Sequence, residues 1–186
     1  MQSESRSARD EWLALGCQRG RPEAFEELIR GMERPLLYYV TKLLRDDGRA
    51  LDVLQEVWLR AVRSIHRLED PRRLRPWLYR IAHGLVVDRI RHDVSRAQAE
   101  RVRAVTPDAA AEEDFATGDA TAIHRALDGL DARHREVLIL HFLEDMPLAD
   151  IAAVTGCPVG TVKSRVFYAK QALREILLRG GYGNPT

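Results

Sequence analysis

The sequence predicts an all-α protein: two small helical domains joined by a flexible acidic linker, the C-terminal domain a helix-turn-helix. Three observations predict it. Apolar residues recur at helical spacing in nearly every long segment, and strand-like alternation is scarce. Residues 94–121 nearly lack large apolar side chains and hold six acidic residues against three basic ones, the composition of a linker. Near the C-terminus a short helical segment, a glycine and a second helical segment follow one another. A chain of 186 residues is long enough for two modest cores.

The N-terminal domain spans residues 9–93. Pro22 suits a first helical turn, and Glu23, Glu26 and Glu27 complement the positive end of the helix dipole. Phe25, Leu28, Ile29, Met32, Leu36, Tyr39, Val40 and Leu43 then recur at helical spacing. Pro35 is expected to kink or break this helix. The next helix repeats the pattern with Leu51, Leu54, Val57, Trp58, Ala61, Val62 and Ile65. A proline-bounded loop, "RLEDPRRLRP", separates it from "WLYRIAHGLVVDRIRH", apolar at Leu78, Ile81, Ala82, Leu85 and Ile90.

A flexible linker over 94–121 spans on the order of 30 Å, enough to hold two modules apart without fixing their orientation. The C-terminal domain spans residues 122–179. Asp131 is the expected N-cap of "ARHREVLILHFLE". Pro147 starts a short helix, Gly156 ends it, and Pro158 opens the last one. In that last helix Val162, Val166, Ala169, Leu173 and Ile176 form the stripe that faces the core.

Bulk properties exclude several classes. The formal charge is +1 and the pI about 7.9, so only the distribution of charge can speak for or against nucleic acid. Cys17 and Cys157 lack metal-ligand spacing and are expected to be reduced, semi-buried thiols. The N-terminus "MQSESRSARDEW" has no apolar segment and is not a signal peptide, and no apolar run approaches the roughly 20 residues of a membrane span. A cytoplasmic location is expected. No phosphate loop, zinc-binding His-Glu-x-x-His helix or nucleophile elbow is present, and the six histidines are scattered. The chain is therefore not expected to be an enzyme or to hold a metal or cofactor.

Charge is unevenly placed. From Pro158 to Arg174 there are four cations, Lys163, Arg165, Lys170 and Arg174, and no acid. At 100° per residue Lys163, Lys170 and Arg174 lie along one flank and Arg165 on the other. Thr161, Ser164, Tyr168 and Gln171 fill the sector between, opposite the apolar stripe. Cations flanking a polar strip suit the major groove, where flanks meet phosphates and the strip meets base edges. A second basic region runs from Arg63 to Arg91, with eight arginines against three acids and with Trp77 and Tyr79 among them. Aromatic faces beside cations are what unstacked single-stranded bases require.

The stretch "REVLILHFLEDMPLADIAAVTGCPVGTVKSRVFYAKQALR" resembles the promoter-reading C-terminal domain of bacterial RNA polymerase sigma factors, in the extracytoplasmic-function (ECF) group. "GTVKSR" is its most specific part, although LuxR-type regulators share a similar turn. The first half decides: "LDVLQEVWLRAVRSI" followed by "RPWLYRIAHGLVVDRIRH" resembles the core of the same group, where one helix binds polymerase and the next opens the promoter. Together the two likenesses cover residues 22–93 and 124–177.

The resemblance implies a promoter-specificity subunit with core RNA polymerase, promoter DNA and an anti-sigma factor as partners. It implies that Asp52, Gln55, Glu56 and Trp58 dock on the clamp of the largest polymerase subunit. It places the loop Leu68 to Pro76 at a flipped base of the −10 element, with Trp77, Tyr79, Arg80, His83, Asp88 and Arg91 as the residues on that DNA. Trp77 reads equally well as core. Thr161, Lys163, Ser164, Arg165, Tyr168, Lys170 and Gln171 are then the residues on the −35 element. Gly84 stands where the family usually has Asn, so a side-chain amide is missing there.

Overall fold

The computed structural model describes residues 2–101 and 119–180, so most of the expected linker lies outside the described residues. Among the described residues every regular element is helical. Helix α1 (Gln2–Gln18) precedes the expected start and places Leu13, Ala14 and Cys17 in the core. Burial raises the Cys17 thiol to about 11 and leaves it inert. Gly16 allows the α1–α2 crossing, because a Cβ there would sit 2.7 Å from the Cβ of Ala24.

Helix α2 (Pro22–Leu44) begins on its proline, as expected, and runs through Pro35 without breaking. Met32 and Leu36 are buried on either side, so packing outweighs the one hydrogen bond lost. Helix α3 (Asp47–Ser64) is capped by Asp46, whose carboxylate accepts from the Arg49 amide. Its buried stripe is Ala50, Val53, Leu54, Val57 and Ala61. Leu51 and Val62, expected in that stripe, are each about half exposed.

Two short turns, Ile65–Arg67 and Pro71–Arg73, carry the chain to α4 (Leu74–Arg101). Gln18 donates from one amide nitrogen to the carbonyls of Ile65 and Leu68, which pins this loop to α1.

The second unit starts with α5 (Asp119–Asp128) and α6 (Ala132–Leu138), the latter capped by Asp131 through the amides of Arg133 and His134. The helix does not continue regularly through "ILHFL": Ile139–Leu143 forms a π-turn, closed by the Glu144 amide on the Ile139 carbonyl. Helix α7 (Leu148–Thr155) follows Pro147 and ends at Gly156, whose φ of 66° is left-handed. Helix α8 (Val159–Arg179) buries Val162, Val166 and Ala169, with Leu173 and Ile176 half-buried along the same stripe. The helix-turn-helix is as the prolines and glycine predict.

The two units touch, and their cores form one cluster. Arg135, 1% exposed, occupies the junction. It donates to the carbonyls of Leu127 (2.8 Å), Leu130 (2.6 Å) and Asp128 (3.3 Å), and to that of Lys42 across the junction. Beside it Glu136 accepts from the Tyr39 hydroxyl at 2.6 Å and lies 2.7 Å from the His83 ring. Lys42 pairs with Asp128 at 2.6 Å and Arg73 with Asp150 at 2.5 Å. The units are therefore in contact, where the linker composition alone allowed them to stand apart.

Removing the Arg135 side chain takes this donor from the Leu130 and Lys42 carbonyls, while those of Leu127 and Asp128 keep bonds from the Leu130 amide and Arg45. Arg135→Ala is expected to lower unfolding free energy by about 3 kcal/mol or more. Arg133→Ala, two residues away and exposed, should change it by less than about 0.5 kcal/mol. Urea titration of both variants checks this.

Candidate nucleic-acid interface

Helix α8 presents its polar strip to solvent. Thr161 is half-buried, and Ser164, Tyr168 and Gln171 are exposed, as are the flanking Lys163, Lys170 and Arg174. Arg165 is held differently, its guanidinium 3.0 Å from the Cys157 sulfur at the start of the helix. Lys170 lies 5.7 Å over the Phe142 ring. Sequence reasoning missed Phe167. It is 57% exposed, between the basic flank and the polar strip, and packs edge-on against Tyr168 with centroids 5.4 Å apart. An exposed apolar ring there matches a thymine methyl group in the major groove. Its position outside the Val162–Ile176 stripe was the available signal.

Helix α3 shows a different surface. Leu51, Gln55, Leu59 and Val62 fall within about 80° of one another and are all exposed. Asp52, exposed, and Glu56, paired with Arg60 at 3.0 Å, border them. Trp58 is half-buried, with its indole nitrogen buried and without a hydrogen-bond partner among the described residues. The apolar content of this face comes from Leu51, Leu59 and Val62 rather than from Trp58. An apolar strip rimmed by polar groups has the composition of a protein-docking surface.

Helix α4 separates the residues expected on melted DNA. Trp77, Arg80, Asp88 and Arg91 lie within about 100° on the outer face, together with Ile81 and Gly84. Tyr79 and His83 lie about 130° round the helix and face inward. Tyr79 is fully buried, edge-on to Tyr39 at 5.1 Å, so it is a core residue and offers no ring face to a base. His83 is engaged by Glu136.

Opposite them the outer face opens into a shallow pocket of about 350 Å³ between α3 and α4. Arg60, Arg63, Arg67 and Arg80 ring it, with Ile81 and Gly84 as its floor. Only Arg60 among these four has a carboxylate partner among the described residues. A Cβ at Gly84 would meet nothing within 4 Å, so the space above this position is open. The basic region read from the sequence includes Arg63, Arg67 and Arg80 but not Arg60, and nothing in a single sequence shows which face of α3 meets α4. No group of His, Cys, Asp and Glu able to hold a metal occurs among the described residues, and no described helix is long and apolar enough to cross a membrane.

Comparison with known proteins agrees with this layout. Residues 28–96 match the model of sigma-70 region 2, and residues 120–173 that of sigma-70 region 4. The ECF RNA polymerase sigma factor SigC of Mycobacterium tuberculosis is 37% identical over 164 residues, covering 87% of each chain. The RNA polymerase sigma-H factor of Pseudomonas aeruginosa is 30% identical over 183 residues, covering 90% of this chain and 93% of its own. Among solved structures, the sigma factor RpoE in complex with the anti-sigma factor NepR from Bartonella quintana aligns with a TM-score of 0.70 and 25% identity. That alignment covers 82% of this chain and 96% of the other.

One buried acid gives the junction a pH dependence. The Glu144 side chain is 8% exposed, 3.7 Å from Arg75. Burial raises its carboxyl pKa, and the nearby Tyr79 hydroxyl and Arg75 only partly offset this. The folded state therefore binds this proton more tightly than the unfolded chain. The protonated form's contribution is complete below the ordinary carboxylate range and is lost as pH rises through the raised value. Glu144→Gln, which mimics the protonated form, is expected to raise Tm near pH 7 and to leave it unchanged near pH 4. Thermal unfolding across pH tests this, and a difference that does not vary with pH would contradict it.

Proposed function

The chain belongs to the ECF group of RNA polymerase sigma factors, and from that membership we propose how its surfaces divide the work of promoter recognition and opening. The apolar strip of α3, Leu51, Leu59 and Val62 with Asp52, Gln55 and Glu56, docks on the clamp of the largest polymerase subunit. The outer face of α4, with Trp77, Arg80, Asp88 and Arg91 beside the arginine-ringed pocket, takes the melted strand of the −10 element. Helix α8 enters the major groove of the −35 element, with Lys163, Lys170 and Arg165 on phosphates. Thr161, Ser164, Tyr168 and Gln171 face base edges.

The observation that carries this reading is the outer face of α4. Three arginines without carboxylate partners among the described residues surround an open floor of Ile81 and Gly84, on the same helix face as the half-buried Trp77. Cations for the backbone and a surface for a base are the requirements of single-stranded DNA. A regulator that binds only duplex DNA needs neither.

The chain supplies specificity and no chemistry of its own; the polymerase forms the phosphodiester bond. It acts in the cytoplasm, where polymerase and promoter are. An anti-sigma factor is the partner that regulates it, as the relative solved in complex with NepR has one.

Run-off transcription tests the reading. Core polymerase with this chain should initiate where core polymerase alone does not. Failure on every candidate promoter, with the chain alone footprinting duplex DNA, would instead identify a stand-alone regulator. Two variants sharpen the assignment. Leu59→Asp places a charge on an exposed position and should weaken binding to core polymerase about tenfold or more without unfolding the chain. Lys163→Gln should reduce the log–log salt slope of upstream duplex binding by about 0.9, one phosphate contact.

A further inference from the structure

Helix α1 lies before the segment that matches sigma-70 region 2, which starts at residue 28. It runs against the loop that leads from α3 to α4. That loop has few bonds of its own. The regular bonding of α3 ends where the Ile65 amide donates to the Ala61 carbonyl. One turn follows, closed by the Leu68 amide on the Ile65 carbonyl at 3.1 Å. A second turn is capped by Asp70, which accepts from the Arg72 amide at 3.1 Å. Buried Leu68 and Leu74 tie the two turns to the core.

Helix α1 supplies further bonds from its side chains. Gln18 donates from Nε2 to the carbonyls of Ile65 at 3.2 Å and Leu68 at 2.7 Å. Glu11, two turns earlier on the same face, pairs with Arg72 at 3.3 Å. Buried Asp10 pairs with Arg75 at 2.7 Å. The Glu11 pair is open to solvent and holds little. The Gln18 bonds are partly buried and go to the backbone, so they fix the main chain and not the tip of a side chain.

Their place in the loop gives these two bonds a role. Ile65 and Leu68 bracket Arg67, whose guanidinium rims the pocket between α3 and α4. Among the described residues no acid holds Arg67, so its placement depends on the main chain that carries it. A cation that meets the backbone of an unstacked strand binds more tightly when it is already in place, because ordering it on binding costs entropy.

We infer that Gln18 is a positioning residue for promoter opening. By holding the main chain on both sides of Arg67, it presets that arginine at the pocket that takes the melted −10 strand. Gln18 faces the loop and acts through Arg67. The inference deepens the proposed function of that pocket and rests on it.

A double-mutant cycle tests it. Gln18→Met keeps the length of the side chain and removes its donor. Arg67→Ala removes the guanidinium from an exposed position. Each variant is assembled with core polymerase on a promoter that the unaltered holoenzyme opens. Permanganate reactivity of the melted thymines reads the ratio of open to closed complex. Each single variant should lower that ratio about fivefold or more. The double variant should match Arg67→Ala within about twofold, because no guanidinium is left to misplace. Affinity for core polymerase and for −35 duplex should stay unchanged in all three. Gln18→Glu, ionised at about pH 8 and likewise unable to donate, should give the same pattern and serves if Gln18→Met does not fold. A single variant without effect, or losses that multiply in the double variant, would overturn the inference. An equal loss of −35 binding would do so too, since it marks general destabilisation. If the unaltered chain opens no promoter with core polymerase, it is the sigma-factor reading that fails.

Discussion

A buried guanidinium with no room for error holds this structure together. Arg135 makes no salt bridge among the described residues; its hydrogen bonds go to backbone carbonyls of Leu127, Asp128, Leu130 and, across the junction, Lys42. Those carbonyls belong to chain ends that a helix leaves without partners: the last turns of α5 and α2 and the turn before α6. One side chain therefore closes two helices and orients a third. Desolvation and the nearby Arg45 lower its pKa, but a guanidinium stays charged at any physiological pH. The junction thus carries a permanent positive charge, satisfied only while α2, α5 and α6 keep their places. Glu136, its neighbour in sequence, sits at the same place and engages α2 and α4.

From this junction the division of α4 follows. The face turned to the second unit carries Tyr79 and His83; the face turned away carries Trp77, Arg80, Gly84, Asp88 and Arg91. A helix wedged between a core and solvent cannot expose both faces. The sequence lists aromatic and basic residues together, and the fold sorts them. The exposed apolar strip of α3 arises similarly: packing takes Val53, Leu54 and Val57 inward and leaves Leu51, Leu59 and Val62 outside.

Much of this was legible in the residues. Pro147, Gly156 and Pro158 mark the helix-turn-helix because proline favours a helix start and left-handed glycine a helix end, and the Val162–Ile176 stripe fixes the buried side of α8. Asp131 could be read as a cap for the same local reason. Properties set by distant partners were not legible. Leu51 and Val62 fit a helical apolar pattern whether they meet a core or a partner protein. Tyr79 looks like a stacking residue until Tyr39 is placed against it. Pro35 breaks an isolated helix, yet α2 is held on both sides by buried residues. The π-turn at Ile139–Leu143 has no local sequence signal, and it directs Glu144 back toward Arg75 and Tyr79. The contact between units was least legible, since composition describes a linker's reach and not what its ends find.

The central claim is that the two units meet at a junction organised by Arg135 and Glu136 and do not hang apart on their linker. Double electron–electron resonance between spin labels at Arg30 on α2 and Arg174 on α8 reads that arrangement directly. The account predicts one narrow distance, under about 40 Å, in the unaltered chain, and a broader distribution in Arg135→Ala. A broad long distance in the unaltered chain would contradict it.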